Sequence, residues 1–588
     1  MAFHSIAEIY IGDFKIPSFK SIILHQQIDN HHDLEIVARM DVLEKQTSEL
    51  GNKSKQFLGE TITLKITPSG DISGYGKLKF VGIVTQIKIV KGINKISGDE
   101  IVILAKSPTI LTDDGPNYAS HNEKSLSDII SQTFKEYDQS KLKTNVKPNF
   151  KDTILYSVQH NESCFNYTSR LAAQYGEWFY YDGAEIVFGK ADTNEITLNY
   201  HIDLIEFNLS LLPLSNKYKY YTNDYLLNDT HETQTESSKS NGYNGFVSEI
   251  AKDVYNKETS IIYNPFVNEK MNNQAKKLIK QQKKAIEINQ VKFTGKSNNP
   301  GISLGGIVTA SEAGDGKYRV TSIIHSCNES GNYENHFEGI TDSEDVYPYT
   351  NIRDFPISYP QTAVVNENND PEKLGRIKVC FPWQKALGEV TPWIRMVSMH
   401  AGKEKGFYFI PEIGEEVLIG FEGGNAERPY VLGSLYHSDE KPLGEWSTQN
   451  NDIKTIKTRA GHTIEFNDED GDESITIFDS KGNSILLDTK EGGITIDAPD
   501  SLTLKSKNIT IKASNNLNIS ASNKANFKAM EITSEADTNL TFKSKAKIDL
   551  KSAMVGIKGD ATAKLEGSIV DIKGTAMTNV KGGIVNLN

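Results

Sequence analysis

Residues 502–527 read LTLKSKNITIKASNNLNISASNKANF, and this run decides the fold. Small or apolar side chains alternate with Lys, Asn, Ser and Thr, the period of a β-strand with one buried face. The style continues from Asp500 to Asn588. A coarser period lies on top of it. Ile509, Leu517, Ala525, Ile532, Leu540, Ile548, Val555, Ala563, Val570, Met577 and Val585 follow one another at spacings of seven or eight residues. The segment has no Pro, Cys, Trp, Tyr, Arg or His, and its only Phe are Phe527 and Phe542. Nothing within it supplies a covering layer.

Repeats of this kind need neighbours to bury their faces. Short strands stacked along an axis close a core when identical chains wrap one another. The tail therefore reads as an intertwined β-helix or β-prism, expected to be a homotrimer. A single-chain solenoid is one alternative, but its coils are usually longer. A disordered Lys/Asn-rich tail is the other, and the persistent alternation argues against it.

At 588 residues the chain exceeds what one core usually holds, so three or four domains are expected. The net charge of −13 is unevenly placed. From Asp500 onward 13 Lys face 8 acidic residues, so the tail carries about +5 and the remainder about −18. An acidic body argues against a nucleic-acid partner. Cys164, Cys327 and Cys380 are far apart and odd in number, which indicates neither a disulfide framework nor a CxxC metal site. The N-terminus MAFHSIAEIYIGDFK has no basic region followed by a long apolar run, and no stretch approaches a membrane span. The chain is expected to be made in the cytoplasm and to leave, if it leaves, without a cleaved signal.

Residues 1 to about 110 read as strands, with Ile, Val and Thr enriched at 61–66, 79–90 and 100–104. Residues 125–137 read as a short helix capped by Ser125. The stretch QHNESCFNYTSRLAAQYGEWFYYDG, residues 159–183, reads as a helix capped by Ser163 and ended by Gly176. A strand at 178–181, an Asp182-Gly183 turn and a strand at 185–189 follow. Packing of the helix on this hairpin explains Trp178, Phe179, Tyr180 and Tyr181 better than a ligand platform does. Residues 190–350 return to strands, broken by one Lys-rich helix at 268–285 whose charges suit a solvated face.

Two motifs invite chemistry. GISLG at 301–305 fits G-x-S-x-G, but a hydrolase nucleophile sits between a strand and a helix. Here Asn299-Pro300 precedes it as a turn and the strand-like 306–309 follows, so Ser303 is not read as a nucleophile. The run DEDGDE at 468–473 resembles part of a calcium loop, yet it lies between two strands at 463–466 and 474–478 rather than two helices. It reads as a charged hairpin turn. Residues 351–445 carry five short strands, at 362–365, 375–381, 393–398, 416–421 and 430–435, with Gly and Pro turns. That pattern suits a small closed barrel such as an OB-fold. The aromatic platform and basic groove of a nucleic-acid binder are not evident.

At this barrel a resemblance emerges. GRIKV at 375–379, FPW at 381–383, TPWIR at 391–395, FIPEIGEEV at 409–417 and PYVLGSLY at 429–436 resemble the central signature of the VgrG family. These are spike proteins of bacterial type VI secretion and related contractile injection machines. NES at 161–163, RLA at 170–172 and GEWF at 176–179 resemble that family's hub region, and TRAGHTI at 458–464 its entry into the needle.

The resemblance implies a mainly β protein in three parts. Residues 1–350 would be a phage-hub-like domain with two tube-like β-barrels and helical insertions. Residues 351–445 would be an OB-fold collar, and 446–588 a trimeric β-helix needle. Three such hubs would present six barrels to the hexameric tube protein (the haemolysin-coregulated protein). A PAAR-repeat cap protein would sit on the needle's blunt end, where position alone suggests Ile584, Val585, Leu587 and Asn588 as the platform. Effectors and baseplate proteins would be further partners, with transient passage through a target membrane. The expected function is that of a spike, cytoplasmic before firing and then delivered outward. An equivalent spike of a phage tail or extracellular injection particle is the near alternative. A glycan-degrading trimeric β-helix enzyme is the remote one. Fewer than twenty residues separate Tyr436 from the first needle strands, and the chain ends on strand pattern, so no inserted or appended enzyme is expected. No catalytic, cofactor-binding or metal-ligating residue is assigned.

Overall fold

Strict alternation near the N-terminus produces strands that share one buried face. Ser21–Gln27, Asp33–Arg39 and Glu100–Lys106 pair so that Leu24 faces Leu34, which faces Ala105, while Ile22 faces Ile36 and then Ile103. All six side chains are buried. The structure, a computed structural model, describes residues 4–43, 54–70, 73–91, 99–235, 242–312 and 316–587. The strands expected at 61–66 and 79–90 are present as Thr61–Pro68 and Leu78–Val90.

The two barrels expected of residues 1–350 are two curled halves of one thirteen-stranded sheet. Two thirteen-residue strands, Leu78–Val90 and Gly316–Asn328, make the curl. Each carries a bulge, at Val84/Gln86 and at Val320/Ser322. An extra residue bends and twists a strand. Gly316–Asn328 therefore pairs with Ile307–Ser311 before its bulge and with Ser21–Gln27 after it, joining the halves. Each half keeps its own core, one around Leu24, Ile36, Phe80 and Ile103, the other around Phe293, Tyr318, Val320 and Phe337.

A chain of neutral groups crosses that seam. Tyr333 Oη donates to His325 Nδ1 (2.6 Å), His325 Nε2 to Gln26 Oε1 (3.0 Å), Gln26 Nε2 to His32 Nδ1 (3.1 Å), and His32 Nε2 to the Gln27 carbonyl (3.3 Å). Only one tautomer of each ring satisfies every bond.

The helix Cys164–Tyr175 begins at Ser163, whose Oγ accepts the Asn166 N–H at 3.2 Å, and ends at Gly176 with φ 69°. The hairpin Trp178–Tyr181 and Ile186–Gly189 follows. Its loop is longer than the expected two-residue turn. It spans 182–185, because the Asp182 carboxylate accepts both the Ala184 and Glu185 N–H groups. Trp178, Phe179, Tyr180 and Tyr181 are all buried, so they pack and offer no platform. The helix expected at 125–137 is Leu126–Thr133, capped by Ser125.

Two helices differ from expectation. The Lys-rich helix is Met271–Ile288, three residues later than read, because Asn268 Oδ1 accepts the Lys270 N–H and holds the chain in a turn. A further helix, Gly242–Val254, was not expected.

The collar sheet runs Lys378–Cys380, Gln361–Glu367, Glu416–Phe421, Pro429–Ser434. The strand expected at 393–398 is not a strand of its own. It makes single bridges, Ile394 to Ile377 on one edge and Met396 to Val431 on the other. Crossing from edge to edge, it closes the barrel around Ile377, Val379, Val417, Ile419 and Val431.

Hub and collar meet through buried charge. Glu427 accepts the Val158 N–H (3.1 Å) and Ser157 Oγ–H (3.2 Å), with Arg170 Nη1 at 3.5 Å. Arg170 also binds Glu162 at 2.7 Å. Burial raises the Glu427 carboxyl against the pull of Arg170. Burial also works against the Arg170 guanidinium, but the Glu427 and Glu162 charges outweigh it and hold it above its ordinary range.

Candidate functional site: an uncovered apolar face

Beyond the collar the chain builds a five-stranded antiparallel meander, Ile453–Lys457, Thr463–Asn467, Ser474–Phe478, Ser484–Asp488 and Gly493–Asp497. The acidic run 468–473 is the turn between the second and third strands, with Gly471 at φ 77° and Asn467 Nδ2 donating to the Asp472 carbonyl. Its register puts isoleucine opposite isoleucine across the whole sheet. Ile456 faces Ile464, then Ile477, Ile485 and Ile496. A second row runs Phe466, Ile475, Leu487, Ile494. The reverse face of the sheet carries Thr455, Glu465, Thr476, Leu486 and Thr495 in register. Alternation thus sorts the sheet into one apolar and one mostly polar face.

The apolar face has no cover among the described residues. Its nine large side chains are 36% to 71% exposed. Burying a side chain of this size contributes about 1.5–3 kcal/mol. With on average a little under half of each still exposed, covering all nine contributes roughly 6–12 kcal/mol, the same order as the cost of association.

The tail continues the same face. Among residues 501–587 no strand ladder forms within the chain, and every residue is exposed. Bends recur at 507, 514–515, 522–523, 530, 537–538, 545–546, 553, 560–561, 568–569, 575–576 and 583–584. They keep step with the stripe from Ile509 to Val585. A second stripe lies two residues on: Ile511, Ile519, Phe527, Phe542, Leu550, Ile557, Leu565, Ile572 and Leu587, with Ser534 and Asn579 at the two polar positions. Residues two apart share a face in extended chain. Ion pairs mark the other face: Lys547–Asp549 (2.7 Å) straddles Ile548, and Lys564–Glu566 (2.6 Å) straddles Leu565. Surface pairs like these add little stability. Their value here is to show which side each residue takes.

At the end of the tail, Val585 lies on the first stripe at 46% exposure and Leu587 on the second, while Ile584 takes the opposite side at 86%. Asn588 lies outside the described residues. The three described platform residues are therefore split between the two faces. The apolar–x–apolar couplet was the missed signal. It recurs from Ile464/Phe466 onward and extends the stripe thirty-six residues upstream of Asp500, into the folded sheet.

The G-x-S-x-G segment is a connection between strands. Ser303 sits in a turn before Ile307–Ser311, and no helix follows. Its glycines serve packing: a Cβ on Gly301 would lie 2.4 Å from the Gly76 Cα. Among the described residues no three His, Cys, Asp or Glu gather to hold a metal ion, and no helix is long and apolar enough to cross a membrane.

Two family models match the chain. The phage tail baseplate hub covers 28–331, just over half of it, and the type VI secretion system/phage-baseplate injector OB domain covers 361–436. The type VI secretion system spike protein VgrG1a of Pseudomonas aeruginosa is 23% identical over 479 residues, 74% of this chain and 72% of that protein. VgrG5 of the same organism is 36% identical over 124 residues, 18% of this chain and 15% of VgrG5; for VgrG1b the matched stretch is 20% of the relative. The chain thus spans a fifth or less of those two relatives in the aligned stretch. The Francisella PdpA-VgrG complex, lidded, contains a chain that matches in fold with TM-score 0.53 at 11% identity, over 84% of this chain and 80% of that one. The chain belongs to the phage tail baseplate hub family.

Proposed function

We propose that three copies of this chain wrap their C-terminal thirds into one needle and serve as the spike at the tip of a contractile type VI secretion tube. One observation carries the reading. An apolar face, uncovered among the described residues, runs from Ile456 to Leu587, with polar residues only at Ser534 and Asn579. Only other chains can bury it, and copies bearing the same stripe fit it in register. In this reading residues 1–350 form the hub, 351–445 the collar and 446–588 the needle. The product of the fold is rigidity, with no residue assigned to catalysis. Assembly is expected to be slow to unfold, because its pairing lies between chains.

Partners follow from the family. The tube protein would meet the hub, and baseplate proteins and effectors would travel with the assembly. A Francisella VgrG has been solved with a partner, PdpA. A PAAR-type cap is assigned to the blunt end, on Ile584, Val585, Leu587 and Asn588. The protein would wait in the cytoplasm and pass through the target envelope on firing. Native mass measurement tests the core of this reading: a trimer is expected, and a stable folded monomer overturns it. Deleting 583–588 tests the platform. Cap binding should vanish with the trimer intact, and unchanged cap binding refutes the assignment.

A further inference from the structure

Far from the needle, the hub carries a groove of about 840 Å³ between a strand edge and a helix. One wall is Asp229–Gln234, the edge strand of a three-stranded sheet with Tyr218–Asp224 and Thr259–Ile262. Thr235 donates its N–H to the Tyr218 carbonyl. Backbone groups alternate in direction along an antiparallel strand. Those of Glu232 and Gln234 therefore turn the other way, and no described residue pairs with that edge. An open edge is a template for another strand.

The other wall is one face of Met271–Ile288, with Lys276, Lys280 and Lys284 a turn apart. Lys284 binds Glu344 at 2.6 Å. Lys276 and Lys280 are exposed, with no partner among the described residues. Their spacing has a counterpart in extended chain. Residues four apart on a helix rise about 6 Å, and alternate residues of a strand lie about 6.6–6.8 Å apart. A strand on the open edge would thus present every second side chain to successive lysines.

We propose that this groove takes an acidic extended segment of a partner protein, which adds as a fourth strand to Asp229–Gln234 and sets alternate carboxylates on Lys276 and Lys280. Backbone pairing supplies binding and the lysines supply selectivity, as in other strand-addition sites. Glu232, Glu287 and Glu344 also line the groove and no aromatic ring does, which disfavours a nucleic-acid strand. A basic wall on a body of about −18 is a local reversal of sign that suits an acidic segment. The proposal stands apart from the needle reading, since the groove belongs to the hub.

The test uses the full-length protein and an eight-residue peptide of alternating Glu and Val, labelled for fluorescence anisotropy. The peptide should bind, weaken with salt, and lose about tenfold in affinity for Lys276→Glu/Lys280→Glu. Lys276→Gln/Lys280→Gln should lose less, and an alternating Thr/Val peptide should bind the native protein about tenfold more weakly. Hydrogen exchange at the Glu232 and Gln234 amides should slow on binding. Equal affinity in the charge-reversed protein, binding that leaves those amides exchanging as before, or tighter binding of a single-stranded oligonucleotide of equal charge would each overturn the proposal. Circular dichroism and native mass must be unchanged in both variants, as expected for exposed helix positions.

Discussion

Arg170 of the hub and Glu427 of the collar face each other at 3.5 Å inside the protein, each at the end of a local network. Arg170 is also tied to Glu162 and to the Val158 carbonyl, and Glu427 to the Val158 N–H. One short stretch of hub strand, 157–158, thus touches both members of the pair. Removing one member leaves the other charged and buried, which typically costs about 3–5 kcal/mol, whereas replacing both with apolar groups is often near neutral. Arg170→Met should therefore destabilise the protein by about that amount, and Arg170→Met/Glu427→Leu should recover part of it, since Glu162 and the Val158 backbone groups still lack partners. Denaturant unfolding of the four proteins of this cycle measures it. Proteolytic nicking near 351–360 in Arg170→Met alone would localise the loss to the hub–collar joint.

The seam between the two hub halves should respond to acid. Burial pushes both His32 and His325 down to about 3. A base whose folded pKa is depressed stabilises the fold above its unfolded value, near 6.5, and that stability is lost as pH falls toward the folded value. Protonating His32 also turns its Nδ1 into a donor facing the Gln26 amide N–H, which breaks the chain there, while protonating His325 obliges the Tyr333 hydroxyl to turn and accept. Two such groups give a slope of up to about 2.7 kcal/mol per pH unit between 6.5 and 3. Glu177 runs the other way. Burial lifts it to about 7, against the Asn149 and Phe150 N–H bonds, so its contribution is present below 4.5 and lost as pH rises through 7. His325→Gln should roughly halve the acid slope, and Glu177→Gln should steepen the net fall in stability between pH 7 and 4.5. Unfolding midpoints across pH 4 to 8 check both. An unchanged acid slope in His325→Gln would remove the imidazole chain as its cause.

How much of this was legible in sequence depends on whether the signal was local. Ser125, Ser163 and Gly176 were readable as caps because a cap needs only the residues beside it. The periods of the tail were readable because they repeat. The helix Gly242–Val254 was not. It buries Asn244, Val247, Ser248 and Ala251, while Tyr243, Phe246, Ile250 and Val254 stay exposed. Its apolar period faces away from the chain's own core, so a rule that points apolar residues inward misreads it. The collar segment 393–398 was misread for a related reason. It has strand composition but makes its bonds one at a time to two different strands, which only the closed barrel specifies. The Ile ladder of the meander was hidden by its turns, whose unequal lengths obscure a repeat that the register makes plain.

The G-x-S-x-G segment separates a chemical from a packing role. Gly76 and Gly301 touch through their backbones, where any Cβ would lie under 3 Å from main-chain atoms. Asn299 clamps the contact, accepting the Gly76 N–H and donating to the Gly74 carbonyl. Overpacking at such a site costs about 1–3 kcal/mol, occasionally more. Gly301→Ala should therefore lower stability by at least about 2 kcal/mol, while Ser303→Ala, at a half-buried turn position, should stay within about 0.5 kcal/mol. Thermal unfolding of the two variants distinguishes them. Labelling of Ser303 by a serine-directed fluorophosphonate, abolished in Ser303→Ala, would contradict the packing role.

The meander allows the sharpest test of the uncovered face, because two neighbouring residues in one strand lie on opposite sides. Ile477 sits at the centre of the isoleucine ladder, between Ile464 and Ile485. Thr476 faces the other way, between Glu465 and Leu486. If copies of the chain cover the ladder, Ile477→Asp removes about 1 kcal/mol of burial per chain and forces a carboxylate out of water, at a further cost of several kcal/mol. The substitution acts in every copy at the same layer, so the assembly should dissociate at micromolar concentration. Thr476→Asp adds the same charge one residue away on the polar face and should leave the mass unchanged. The hub and collar, with their own cores, should remain folded in both, so circular dichroism separates dissociation from unfolding. A native mass unaffected by Ile477→Asp would mean that the ladder faces solvent in the assembly as it does in the single chain, and the apolar stripe would then need a different explanation.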